Sequence, residues 1–247
     1  MNIRRELDKL GYTYGRVKNE NPHLVYPAMT LASIAGGFMG AVNQNNIHMY
    51  GFTALTSWTF YNSLISFDNR HKLAAAKKIL AKSTDASLAY IEKIIIEDED
   101  GLETILSKTR DSKRREWATV LHANADGNIA RVTEILDNDV ALKDGLVLRQ
   151  GRIRITYDGR LIKERGFEGT HHYHPNQFFY TENFAINTMD RAAFPDGIHL
   201  LTFNTPKGPE IIGYNTRYTY LPLDKTKKEL VRADSKEIMR YISTVYG

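Results

Sequence analysis

Three of the eight histidines in this chain fall within Thr170-His171-His172-Tyr173-His174-Pro175. On an extended strand successive side chains point to opposite faces, so His172 and His174 share one face and His171 lies on the other. Two imidazoles spaced this way can chelate a zinc ion with little chain-closure cost. Pro175 suits a strand end, because it cannot donate to a ladder. A carboxylate able to complete the site follows at Asp190. A catalytic zinc usually takes three protein ligands and keeps a fourth position for water, with a general base near that water. An isolated His-x-His is also compatible with an ordinary surface or core strand, so the surrounding sequence decides its weight.

Residues 116–136 read as a strand, a turn at Asn124 to Asn128 and a second strand. Asp126-Gly127 is a strong hairpin signal. Glu116 opens the first strand, directly after Lys113-Arg114-Arg115. With these residues in place, the chain resembles the JAMM (MPN-plus) metallopeptidases and their RadC-like relatives. That family carries a glutamate on an early strand, then His-x-His-Pro, then Ser-x-x-Asp on a following helix. The matching positions are Glu116, His172, His174, Pro175 and Asp190, and the resemblance spans roughly residues 110–220. Two positions depart from the pattern: Tyr173 stands between the histidines, and Asn187 stands where the family has serine.

The resemblance implies a zinc metallopeptidase or isopeptidase, which the apolar runs described below would anchor to a membrane. His172, His174 and Asp190 would hold Zn2+, and Glu116 would serve as general base. Asn187 would face the developing oxyanion, since an amide can donate that hydrogen bond. The implied substrate is a protein or peptide, often the tail of a ubiquitin-like protein. The same pattern admits a noncatalytic MPN-like scaffold that binds a partner protein at the membrane. Other carboxylates fit the base role less well. Glu168 shares the strand face of His172 but lies about 13 Å along an extended chain, and Glu134 reads as a solvated face. Glu164, like Glu168, lies nearer the histidines in sequence, while His122 and His199 read as ordinary strand or loop positions. Phe178, Phe179 and Tyr180 read as packing aromatics or as the lining of a substrate groove.

No Asp, Glu, Lys or Arg occurs between Glu20 and Asp68, in a chain that is otherwise 25% charged. Two apolar runs, at about 24–42 and 49–67, flank the polar loop Asn43 to His48. Each approaches the roughly 20 residues that span a bilayer as a helix. Arg4, Arg5, Lys9, Arg16 and Lys18 precede the first run, and Arg70, Lys72, Lys77, Lys78 and Lys82 follow the second. The expectation is a transmembrane hairpin in contact with the lipid bilayer through residues 24–67. The positive-inside rule then places the N-terminus and the C-terminal domain in the cytoplasm. Gly36-x-x-x-Gly40 would let the two helices approach closely.

The chain thus divides into an anchor module, 1–83, and a JAB/MPN-like domain, 84–247. The expected class is α+β, a mixed β-sheet with flanking helices layered as in cytidine deaminases. Helices are expected at His71 to Lys82, Ala86 to about Ile96, Leu102 to Lys108, Glu182 to Ala193 and Ser235 to Val245. Strands are expected at Gly145 to Gln150, Arg152 to Tyr157, Arg160 to Lys163, Phe167 to His174, Ile198 to Asn204 and Glu210 to Tyr220. The absence of cysteine excludes disulfides and thiolate zinc sites. A net charge of only +4 gives little argument for nucleic-acid binding.

Overall fold

In the computed structural model the described residues are 3–43, 46–68, 70–82, 90–112, 115–150, 155–175, 180–223 and 227–246. Four helices come first: α1 (Ile3–Glu20), α2 (Pro22–Val42), α3 (Asn46–Asp68) and α4 (Arg70–Lys82). Then follow β1 (Lys93–Ile96), α5 (Glu99–Asp111), β2 (Ala118–Asp126), β3 (Ile129–Ile135), α6 (Asn138–Lys143), β4 (Val147–Arg149), β5 (Thr156–Tyr157) and α7 (Gly159–Glu164). The chain ends with β6 (Gly169–His174), a 3-10 turn (Tyr180–Phe184), α8 (Thr188–Ala193), β7 (Ile198–Thr205), β8 (Gly208–Tyr214), β9 (Thr219–Pro222), β10 (Glu229–Ala233) and α9 (Ser235–Tyr246).

Eight strands close into a mixed barrel in the order β1-β10-β9-β8-β7-β6-β2-β3. This overturns the expected open, layered sheet with flanking helices. Closure comes from β1, which pairs antiparallel with β10 on one side and parallel with β3 on the other. Closing the sheet removes both edges, and with them the unpaired backbone groups an edge strand presents. β1 itself lies in the stretch expected to be a helix. Ile91, Ile94 and Ile95 recur at helical spacing, but Lys93–Ile96 is strand. Three consecutive β-branched isoleucines favour the pleated surface, and the long-range pairing with β3 and β10 decides the outcome. The start of that expected helix, 83–89, lies outside the described residues.

The alternation of each strand splits the side chains between barrel interior and exterior. Inside, Ile94, Leu121, Tyr173, Leu200, Ile211, Tyr220 and Leu230 form one cluster with Leu102, Ile105 and Leu106 of α5. Outside, Leu201, Phe203, Ile212 and Tyr214 pack with α9 and with Tyr12 of α1, while Ala118 and Val120 pack with α6 and α7. Gly169 opens β6 because nothing larger fits there. A Cβ at this position would lie 2.2 Å from the Ile198 carbonyl oxygen of β7.

Other departures are local. Arg160 to Lys163 is part of a helix, capped by the Asp158 carboxylate, which accepts from the backbone N–H groups of Arg160 and Leu161. The expected helix 182–193 is a 3-10 turn followed by the shorter α8, and the expected strand 210–220 divides into β8 and β9. The Asp126-Gly127 hairpin forms as expected, with Gly127 at φ 60°.

The N-terminal helices form a hairpin, but not the expected pair of membrane spans. Among the described residues one helix, His23–Val42, is long and apolar enough to cross a membrane. α3 does not reach that standard, because Asn62 and a series of threonines and serines dilute its apolar residues. The hairpin does pack closely at Gly36, where a Cβ would lie 2.5 Å from the ring of Phe52.

Candidate metal centre

β2 and β6 run antiparallel with Ala118 opposite His172. The pairing continues past the end of β2, where the Tyr173 N–H donates to the Trp117 carbonyl at 2.9 Å. Two-residue alternation therefore puts Glu116, Ala118, His172 and His174 on one face, the outside of the barrel. Trp117, His171 and Tyr173 face inward. His171 is fully buried there, with its Nε2 2.9 Å from Thr202 Oγ1 and its ring 4.7 Å from that of Trp117. The small side chain of Ala118 opposite His172 leaves room for the imidazole.

His172 Nε2 and His174 Nε2 lie 3.0 Å apart. A tetrahedral ion with bonds of ~2.0–2.1 Å needs donor atoms separated by about 3.3 Å. Asp190 Oδ2 lies 3.8 Å from His174 Nε2. The three ligand atoms fall within 4.8 Å of one another, and among the described residues theirs is the one group of this kind. These are the three residues expected from the sequence as ligands, and the structure brings them together although the histidines lie on β6 and Asp190 on α8.

Local sequence explains how Asp190 is held. Asn187 is the N-cap of α8 and its side-chain oxygen accepts from the Met189 N–H at 2.9 Å. The Asn187 backbone N–H in turn supports the Asp190 carboxylate. This reciprocal pair resembles a capping box, and it fixes the carboxylate at the third helical position. Asn187 therefore precedes the helix instead of sharing a helical face with Asp190. Its oxygen is occupied by the cap, leaving the amide NH2 as its donor group.

Burial dominates the electrostatics. It lowers the His172 pKa to about 3, helped by His199, and the His174 pKa to about 4, helped by His172. Both rings are neutral at pH 7, the protonation state in which an imidazole can ligate. Burial also raises the Asp190 pKa. Glu116 is raised to about 8 by burial and by the Asp190 charge. A cation among these groups would draw both carboxyls back to their charged forms. The donor set of two neutral imidazoles and a carboxylate fits a divalent ion. Asn183 of the 3-10 turn is 1% exposed, and its Oδ1 reaches no partner within hydrogen-bond geometry.

The competing carboxylates gather elsewhere. Glu134 and Glu168 each approach His122 at 3.7 Å on the barrel surface, and Glu164 pairs with Arg160. His199 is a satisfied core histidine, with Thr170 Oγ1 and the Phe194 carbonyl each 2.8 Å from its ring nitrogens. Phe178 and Phe179 lie outside the described residues, as does the side chain of Tyr180.

Several residues around the site carried no sequence signal. Tyr214 places its hydroxyl 3.4 Å from His172 Nδ1. Lys18 of α1 pairs with the buried Glu182 of the 3-10 turn, and α4 packs on α8. Both feet of the helical hairpin thus stand on the elements that wall the site. All these contacts are remote in sequence, so spacing could not reveal them. Compared with known proteins, the chain matches no family model and no curated sequence.

Proposed function

We propose that the protein is a metal-dependent hydrolase of peptide or isopeptide bonds, built on Glu116, His172, His174 and Asp190. The observation that carries this reading is the convergence of two neutral imidazoles and a carboxylate on one point. Nitrogen and oxygen donors without thiolate suit zinc, and other borderline divalent ions compete for such a set. When bound, the ion would supply Lewis acidity and a water of lowered pKa. The protein's own groups do the rest. His172 and His174 offer lone pairs because burial keeps them neutral. Asp190 is steadied by the Asn187 N–H. Glu116, on the same outer face, accepts the proton of the attacking water and returns it to the leaving amine. The Asn187 amide donates toward the developing oxyanion. The choice of a peptide or isopeptide bond, with the tail of a ubiquitin-like protein as one such substrate, rests on the JAMM-like motif alone.

The test is incubation of the full chain with zinc and a library of peptides and isopeptide-linked peptides, read by mass spectrometry. Chelator-sensitive cleavage that falls ~10²–10⁴-fold in Glu116→Gln is expected. Cleavage that ignores both the chelator and the substitution would contradict the reading. Metal binding with no cleavage of any bond would favour a noncatalytic partner-binding scaffold.

We further infer that the outward face of the α2–α3 hairpin meets lipid. Leu31, Phe38, Tyr50 and Leu64 are more than half exposed there, while Ser33 and Thr59 are buried between or against the helices. Thr56 Oγ1 donates to Ser33 Oγ at 2.9 Å and Thr30 Oγ1 lies 3.3 Å from Ser63 Oγ. Polar groups paired within and apolar groups without is the arrangement that suits hydrocarbon. Co-sedimentation of the full chain with anionic vesicles, resisting high salt, supports this placement. A chain that stays in the supernatant overturns it.

A further inference from the structure

Tyr214 is a further outer-face residue with a claim on the site, and it comes from β8, two strands away from the histidines. Its side chain is 1% exposed. Its hydroxyl sits 3.4 Å from His172 Nδ1, the ring nitrogen that does not face His174. One face of its ring stacks on His199, with centroids 4.7 Å apart and planes at 24°. His199 cannot rotate away, because both of its nitrogens are engaged, one by Thr170 Oγ1 and one by the Phe194 carbonyl. The Arg191 guanidinium carbon lies 5.7 Å from the Tyr214 ring centroid. Arg191 directly follows Asp190 on α8. It donates to the carbonyl oxygens of Asn215 and Tyr218 and to Thr219 Oγ1, tying α8 to the β8–β9 connection.

These contacts form one buried brace. It runs from Asp190 through Arg191 and Tyr214 to His172, with His199 wedged behind the tyrosine. From this geometry we infer that Tyr214 is a positioning residue for the metal centre. Its hydroxyl accepts the Nδ1 proton of His172, fixing the tautomer whose Nε2 lone pair faces His174. Its ring sets the distance between the strand that carries the histidines and the helix that carries Asp190. A ligating histidine generally gives its other N–H to such a partner, and losing the partner typically lowers metal affinity ~10–100-fold. The inference rests on the metal-site reading proposed above.

The experiment is a titration of the full chain and of Tyr214→Phe with Co2+, followed by the visible ligand-field spectrum and by competition with a chelator. Phenylalanine keeps the ring and its stacking and removes only the hydroxyl. The expected result is affinity weakened ~10–100-fold, an altered ligand-field spectrum and an unchanged melting temperature of the metal-free protein. Equal affinity and an identical spectrum would overturn the role of Tyr214 and leave the metal site standing. A wild-type chain that binds no Co2+ would overturn the metal site and this inference together. Should Tyr214→Phe fold poorly, the 15N spectrum of histidine-labelled, zinc-loaded wild-type chain replaces it. A proton on His172 Nδ1 is expected, and one on Nε2 would refute the assignment.

Discussion

The barrel and the helical hairpin are inverted copies of one another in polarity. In the barrel, Ile94, Leu121, Leu200 and Ile211 are wholly or nearly wholly buried, and glutamates and lysines face outward in ion pairs such as Lys93–Glu229. In the hairpin, Ser33, Thr59 and Ser63 are buried, and Leu31, Phe38 and Phe60 are on the outside. Burying an apolar side chain in water-facing protein is worth about 1.5–3 kcal/mol, so the hairpin forgoes that gain many times over if water surrounds it. On the lipid placement proposed above, the two regions fold for different surroundings. The polar cluster of the candidate metal centre stands out against the barrel's pattern. Among the described residues, the one group of three that could hold an ion, His172, His174 and Asp190, lies where β6 meets α8 on the barrel's outer wall.

The comparison can be broken in several ways. The largest effect is expected from His172→Ala with His174→Ala, which should abolish metal binding by direct metal analysis while leaving the far-ultraviolet circular dichroism intact. Equivalent double substitution of the hairpin's Leu31 and Phe38 should leave metal content untouched. Next is a pH effect. In the metal-free chain Glu116 keeps its proton up to about pH 8, whereas the unfolded chain releases it near 4.5, the ordinary value for a glutamate. Stability therefore falls as pH rises through that window, and Glu116→Gln removes the loss. The variant should gain on the wild type by on the order of 4 kcal/mol between pH 4.5 and 8 in denaturant titrations. A parallel pair of stability curves would show that Glu116 is not held protonated.

Smaller effects probe the hairpin. Leu31→Arg places a charge on the outward face. If that face meets hydrocarbon, the cost is about 2.5–3.5 kcal/mol and vesicle binding should drop roughly 100-fold. No change would mean that the face meets water. Gly36→Ala forces a methyl group against the Phe52 ring and should cost ~1–3 kcal/mol of thermal stability in the helices. Smallest is Asn187→Ala, which removes the cap of α8 for about 1 kcal/mol. Asn187→Ser keeps the cap, so a difference in turnover between serine and asparagine would isolate the amide's role toward the oxyanion.

The site was far more legible in the sequence than the fold around it. His172 and His174 are two apart on a strand, and period-two alternation alone puts them on one face and His171 on the other. Asp190 and Glu116 came from the spacing of a motif. In the structure Asp190 meets the histidines, and Glu116 is close enough to feel its charge. The barrel was not legible, because closure depends on β1 pairing with β10 far along the chain, Lys93 opposite Val231, and on a four-residue strand whose isoleucines also satisfy a helical period. Tyr214 and Arg191 were silent for the same reason, and Lys18 stood out only as a cation flanking the first apolar run. Each reaches the site only through tertiary contacts, and nothing in their local sequence distinguishes them from ordinary core or surface residues. The hairpin's existence followed from its lack of charge. Its second helix is less apolar than its first, and among the described residues only the first is long and apolar enough to cross a membrane.

The central claim is that one divalent ion sits among His172, His174 and Asp190. Its most direct test is elemental analysis of the full chain after zinc loading and dialysis, beside the His172→Ala, His174→Ala variant. The account predicts one zinc per wild-type chain and none in the variant. No zinc in the wild type at saturating supply, or equal zinc in both, would contradict it.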